Sequence, residues 1–265
     1  MNNKPIGIFD SGVGGLTVFR EIERILPSED IIYFGDTARV PYGNKSKATI
    51  IKFSTENILF LLEKKVKIVV IACNTSSALA LDYFKNTFSI PVIGVIEAGA
   101  EKALSVSRNK TIGVIGTRST INSLSYKNEI LKKDKYAKVY SKACPLFVPL
   151  VEEGILKGNI VDIIVKMYLE EIKGKGIDTV ILGCTHYPLL KKPISSYLKG
   201  VQIIDSAQEV ALHTKELLQS ESLKKQGTKI GKRYFYVSDE PSGFARLEKL
   251  FLHRNIPIPE VVNSY

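Results

Sequence analysis

The sequence is poor in the residues that would build a disulfide framework or a metal centre. Three cysteines in 265 residues, an odd number, do not make a set of disulfides, and reduced thiols are the natural reading. No closely spaced Cys/His cluster exists, so metal catalysis is disfavoured. No run approaches the roughly 18 to 20 apolar residues that span a bilayer. The opening MNNKPIGIFD passes almost directly into a strand, with no apolar leader, so a cytoplasmic protein with no membrane partner is expected.

Nucleotide-binding signatures are missing as well. The stretch DSGVGG lacks G-x-G-x-x-G spacing and no Gly-Lys-Ser/Thr follows it, which excludes a Rossmann fingerprint and a P-loop. The formal net charge of +10 is carried mostly by lysines scattered through expected helices and loops, without a nucleic-acid module. A solvated basic surface that helps to attract an anionic substrate is the reading. Hydrophobic residues at 45% and charged residues at 24% fit a globular protein of one large or two modest domains.

What is present is one pattern written twice: IVVIACNTSS at 68–77 and TVILGCTHYP at 179–188. Each is a continuous apolar run, then a small residue, a cysteine and a polar residue at an expected helix start. Such a run reads as a strand buried on both faces of a parallel sheet. Cys73 and Cys184 therefore belong at the carboxyl ends of two strands, where open α/β sheets bind their ligands. Helix N–H groups there should favour the thiolate over the free thiol, whose pKa is about 8.5.

The repeat extends further. PIGIF (5–9) and TIGVIG (111–116) read as first strands, IIYFGD (31–36) and AKVYSKA (137–143) as second strands, each of the latter leading into a proline loop. Gly7, Tyr33 and Cys73 lie at offsets of 26 and 66, and Gly113, Tyr140 and Cys184 at 27 and 71. The expected fold class is α/β: two similar domains, each containing a parallel sheet, related by pseudo-two-fold symmetry with the active site in the cleft between them. Residues 1–97 with a returning segment, 207–265, are expected as one domain and 98–206 as the other. PVIGVI (91–96) reads as a further strand, and Ser206 with Glu209 as a capping box. DSGVGG could wrap an anion with backbone N–H groups or form a turn with no ligand.

Two opposed thiols can invert a stereocentre: one, as thiolate, removes a proton from one face of a carbon, and the other, as thiol, delivers one to the opposite face. FDSGVGGLTV, VPYGNKS, ACNTSSALAL, ACPLFVPLVEEG and LGCTHYPLL, in this order over nearly the whole chain, resemble bacterial glutamate racemases. The resemblance implies an enzyme that needs no cofactor, acts on L- and D-glutamate for peptidoglycan synthesis, and forms a homodimer. It implies Cys73 and Cys184 as the two acid–base groups, with Asp10 assisting Cys73, and His186, with Glu152 nearby, assisting Cys184. Substrate contacts are implied for Asp10, Ser11, Tyr42, Gly43, Asn74, Thr75, Thr117, Thr120, Thr185 and His186, with no metal. Some relatives also affect DNA gyrase, which the diffuse basic charge does not support here. Cys144 reads as structural, and Asp36 could be a turn residue or support a neighbour. The rivals are a racemase of aspartate or another amino acid, a non-catalytic glutamate binder, and a redox switch joining Cys73 to Cys184.

Overall fold

The computed structural model describes residues 3–239 and 241–262. The first half runs β1 (Ile6–Asp10), α1 (Leu16–Ile25), β2 (Ile31–Gly35), α2 (Lys47–Glu63), β3 (Ile68–Ile71), α3 (Asn74–Thr87), β4 (Val92–Gly94) and α4 (Val95–Val106). The second runs β5 (Thr111–Gly116), α5 (Arg118–Asn122), α6 (Ser125–Lys133), β6 (Lys138–Ala143), α7 (Phe147–Glu152), α8 (Asn159–Lys173), β7 (Thr179–Gly183), α9 (Lys191–Tyr197) and β8 (Gln202–Ile204). After these come α10 (Ser206–Ser220), β9 (Arg233–Val237), α11 (Pro241–Leu252) and β10 (Glu260–Val261).

The two sheets repeat one strand order. The first reads β10-β9-β2-β1-β3-β4 and the second β6-β5-β7-β8, with parallel pairing throughout. Beyond the shared four strands, the first sheet adds the C-terminal β9, paired to β2, and β10 beside it. The α/β architecture of two related parallel sheets stands as expected.

Alternation explains why the strands are apolar without interruption. Ile68 and Val70 of β3 enter the core between the sheets, whereas Val69 and Ile71 enter a second core under α2 and α3. In β7, Val180 and Leu182 join the first of these cores, while Ile181 packs with Ile112 and Val114 on the other side of its own sheet. With helices over both faces, each position along such a strand has to be apolar.

Register makes the internal repeat exact in one place and shifts it in another. Gly7 pairs with Val69 and Gly113 with Val180, and each partner stands four residues before its cysteine. Cys73 and Cys184 are thus equivalent positions of the two sheets. The tyrosine correspondence fails by one residue: Gly113 pairs with Tyr140, but Gly7 pairs with Ile32, so Tyr33 sits on the opposite face from the one its offset implied. A one-residue slip exchanges faces in a strand.

Three further boundaries differ from the sequence reading. The expected strand over 91–96 stops at Gly94 because the chain turns there: a Cβ on Gly94 would lie 2.8 Å from Ser77 Oγ, which instead accepts from the N–H of Val95 at the start of α4. The proline loop after β6 contains a short helix, α7. The cap of α10 is Asp205, whose carboxylate accepts from the N–H of Ala207 at 3.0 Å, rather than Ser206.

Candidate active site

Cys73 follows β3 after Ala72 and caps α3, and Cys184 follows β7 directly. Both line one narrow cavity between the lobes, together with Ser11, Val40, Pro41, Tyr42, Gly43, Asn74, Thr75, Thr117, Val148, Glu152, Thr185 and His186. Its free volume is about 30 Å³, room for a few water molecules. The sulfurs are nearly closed off, with Cys73 5% and Cys184 6% exposed.

Around Cys73 the environment favours the neutral thiol. Burial, with Asp10 nearby, pushes its pKa up to about 11, against hydrogen bonds from the Ser76 backbone and Ser11. Its Sγ lies 3.7 Å from Ser11 Oγ. The pull of the helix terminus toward the thiolate is outweighed here by desolvation and a neighbouring carboxyl.

Asp10 is fully buried and stands behind the cavity wall rather than in it. Its carboxylate accepts from the N–H of Gly12 at 3.0 Å and from Thr185 Oγ1, across the cleft, at 3.4 Å. Burial raises its pKa, while His186 and the Gly12 and Gly15 N–H groups pull it down. The anion wrapped by DSGVGG is thus the protein's own. The loop's glycines also let the lobes approach: a Cβ on Gly14 would lie 2.4 Å from Thr185 Oγ1 and 2.5 Å from His186 Nδ1.

Around Cys184 the partners are of the opposite kind. The sulfur lies 3.9 Å from His186 Nδ1, and His186 Nε2 lies 3.1 Å from Glu152 Oε1. Burial disfavours the charged imidazole, but the hydrogen bonds to Cys184 and Glu152 prevail and hold the His186 pKa well above its ordinary value. The edge of Phe251 from α11 closes the other side of the ring, 5.8 Å between centroids. Instead of an α-helix, a 3-10 turn over Tyr187–Leu190 follows this segment.

The remaining expected residues gather at the same cleft. Tyr42 and Gly43 stand in a 3-10 turn whose tyrosine hydroxyl donates to Asp36, while the Asn57 amide donates to that hydroxyl at 3.2 Å. Asp36 also accepts from Arg39 and from Ser238 of the C-terminal segment, so it supports this turn rather than the cavity. Asn74 is held by Tyr126 of the other lobe, whose hydroxyl donates to its side-chain oxygen at 2.7 Å. Thr75 Oγ1 lies 3.0 Å from Thr117 Oγ1 and 3.3 Å from Thr120 Oγ1, so Thr120 touches the site from behind.

Val40 and Pro41 of VPYGNKS and Val148 of ACPLFVPLVEEG complete the lining, though none was among the expected substrate contacts. Cys144 is fully buried away from the cavity, its thiol donating to the Lys142 carbonyl, and burial raises its pKa. Among the described residues, no group of three or more His, Cys, Asp or Glu is placed to hold a metal ion.

Two α/β lobes of one strand order thus meet at a cleft with a thiol from each. A family model described as Asp/Glu/Hydantoin racemase matches residues 6–214. Glutamate racemase of Persephonella marina is 50% identical over 256 residues, 97% of this chain and 96% of that one. The crystal structure of glutamate racemase from Francisella tularensis in complex with D-glutamate matches with a TM-score of 0.94 at 43% identity, covering 100% of this chain and 99% of the other. Escherichia coli glutamate racemase, in complex with L-glutamate and the activator UDP-MurNAc-Ala, matches at 0.79 and 27% identity, over 99% of each chain. The chain belongs to the glutamate racemases of the Asp/Glu/hydantoin racemase family.

Proposed function

We propose that this enzyme interconverts L- and D-glutamate through Cys73 and Cys184, and that its D-glutamate serves peptidoglycan synthesis. The observation that carries the reading is the equivalence of the two cysteines in register, together with their opening onto one cavity from different lobes. One sulfur, as thiolate, takes the Cα proton and leaves a carbanion. The other, as thiol, donates its proton to the opposite face and becomes the thiolate. The reverse reaction exchanges their roles, and no proton is gained or lost over the cycle.

The neighbouring groups match these roles. Asp10 assists proton movement at Cys73, while His186, held by Glu152, assists Cys184. Ser11, the Tyr42–Gly43 turn, Asn74, Thr75, Thr117 and Thr185 offer N–H, hydroxyl and amide groups for an ammonium and two carboxylates. Thr120 acts through its contact with Thr75.

The chain is read as a cytoplasmic homodimer with domains 1–97 plus 207–265 and 98–206, an assembly that sedimentation tests. Among the described residues no helix is long and apolar enough to cross a membrane. The substrate assignment is tested by following loss of optical activity from L-glutamate and from L-aspartate. Faster turnover of glutamate supports it, and a preference for aspartate overturns it.

A further inference from the structure

The lobes meet at one corner of the cleft through hydroxyls and backbone. Ser119, on α5 of the second half, donates its hydroxyl to the Gly43 carbonyl of the first at 2.9 Å and lies 3.3 Å from the Lys45 carbonyl. Beside it, Thr75, Thr117 and Thr120 form a triangle of hydroxyls, two from α5 and its cap and one from α3. The Gly43 backbone packs directly on the Thr117 side chain: a Cβ on Gly43 would lie 2.5 Å from the Thr117 Cβ. Gly43, Thr75 and Thr117 line the cavity, whereas Ser119 does not.

The cavity is narrow, and its sulfurs are almost covered. Substrate, or any reagent for the thiols, reaches them only when the lobes part along this rim. The geometry points to Ser119 as a latch: a positioning residue that ties the Tyr42–Gly43 turn to the second lobe and sets the balance between closed and open cleft. Its acceptors are backbone carbonyls, so the serine hydroxyl alone controls this contact. Removing it should raise the open population by about 2- to 12-fold, the range expected for one net hydrogen bond. The consequence for turnover rests on the cleft being the reaction site: entry of substrate speeds up by the same factor, while the chemical step inside the closed cleft is unchanged.

The test uses the three native thiols and does not depend on racemase activity. The full chain, without substrate, is treated with iodoacetamide, and alkylation of Cys73, Cys184 and Cys144 is followed separately by peptide mass spectrometry. Cys144, fully buried inside the second lobe, gauges unfolding. In Ser119→Ala, Cys73 and Cys184 should react about 2- to 12-fold faster, with Cys144 unchanged, and Ser119→Thr should react as the wild type does. Unchanged rates at both cleft thiols, equal acceleration of Cys144, or a Ser119→Thr variant as fast as Ser119→Ala would each overturn the assignment. Gly43→Ala, which forces the same contact apart sterically, should accelerate the cleft thiols even where the serine variant expresses poorly. Absence of racemisation in the wild type, alongside the expected alkylation pattern in the variants, would count against the proposed reaction and leave the latch standing.

Discussion

The two cysteines occupy equivalent positions in equivalent sheets, yet their surroundings differ in sign. Cys73 caps a long helix beside a buried acid, and its thiol is held protonated; Cys184 precedes a 3-10 turn and faces an imidazole backed by Glu152. The strand partner of Gly7, four residues before Cys73, fixes where the sulfur stands, and so does that of Gly113 for Cys184. The side chains after and opposite the strand ends then decide which groups each sulfur faces. The repeated scaffold sets the geometry, and its departures from repetition set the chemistry.

The largest expected effect removes either sulfur. Cys73→Ala and Cys184→Ala should each reduce racemisation by about 100- to 10,000-fold, the range for loss of a positioned acid–base group. Wild-type turnover in either variant would break the pairing. Next is Asp10→Asn, which should act on one thiol only. Taking away the acid removes one cause of the raised Cys73 pKa, so the alkylation midpoint of that thiol falls below about 11 while burial keeps it above its ordinary value. A midpoint that stays or rises would contradict the proximity of Asp10, and a shift at Cys184 instead would contradict the asymmetry.

Glu152→Gln is a milder perturbation on the other side, with an expected loss of activity of about 10-fold, appropriate to one charge-assisted hydrogen bond. His186 has a raised folded pKa, so its stabilising contribution is complete below the unfolded value of about 6.5 and disappears as pH rises through the folded one. Without Glu152 that alkaline loss should be smaller and finish at lower pH, while still beginning near the unfolded value, as thermal melting against pH will report. The smallest effect belongs to Cys144→Ala, which should leave racemisation unchanged, since this thiol lies outside the cavity.

The strands were legible because burial on both faces requires unbroken apolar runs, and the cysteines were legible because each ends such a run. Features set by partners distant in sequence were not. Asp36 reaches Ser238, 202 positions away, and Asp10 reaches Thr185 across 175. Spacing along the chain carries no trace of either bond. The Tyr33 and Tyr140 offsets looked equivalent, but only pairing to β1 and β5 reveals the slip of one residue. The helix-end argument for a Cys73 thiolate weighed one local effect without the burial that opposes it.

The most direct test of sulfurs flanking a single carbon is racemisation of L-glutamate in deuterium oxide, stopped early and resolved into its two enantiomers. The account predicts deuterium at Cα of the D-glutamate formed and almost none in the L-glutamate recovered. Deuterium shared equally between the two pools, or D-glutamate that retains the original hydrogen, would contradict it.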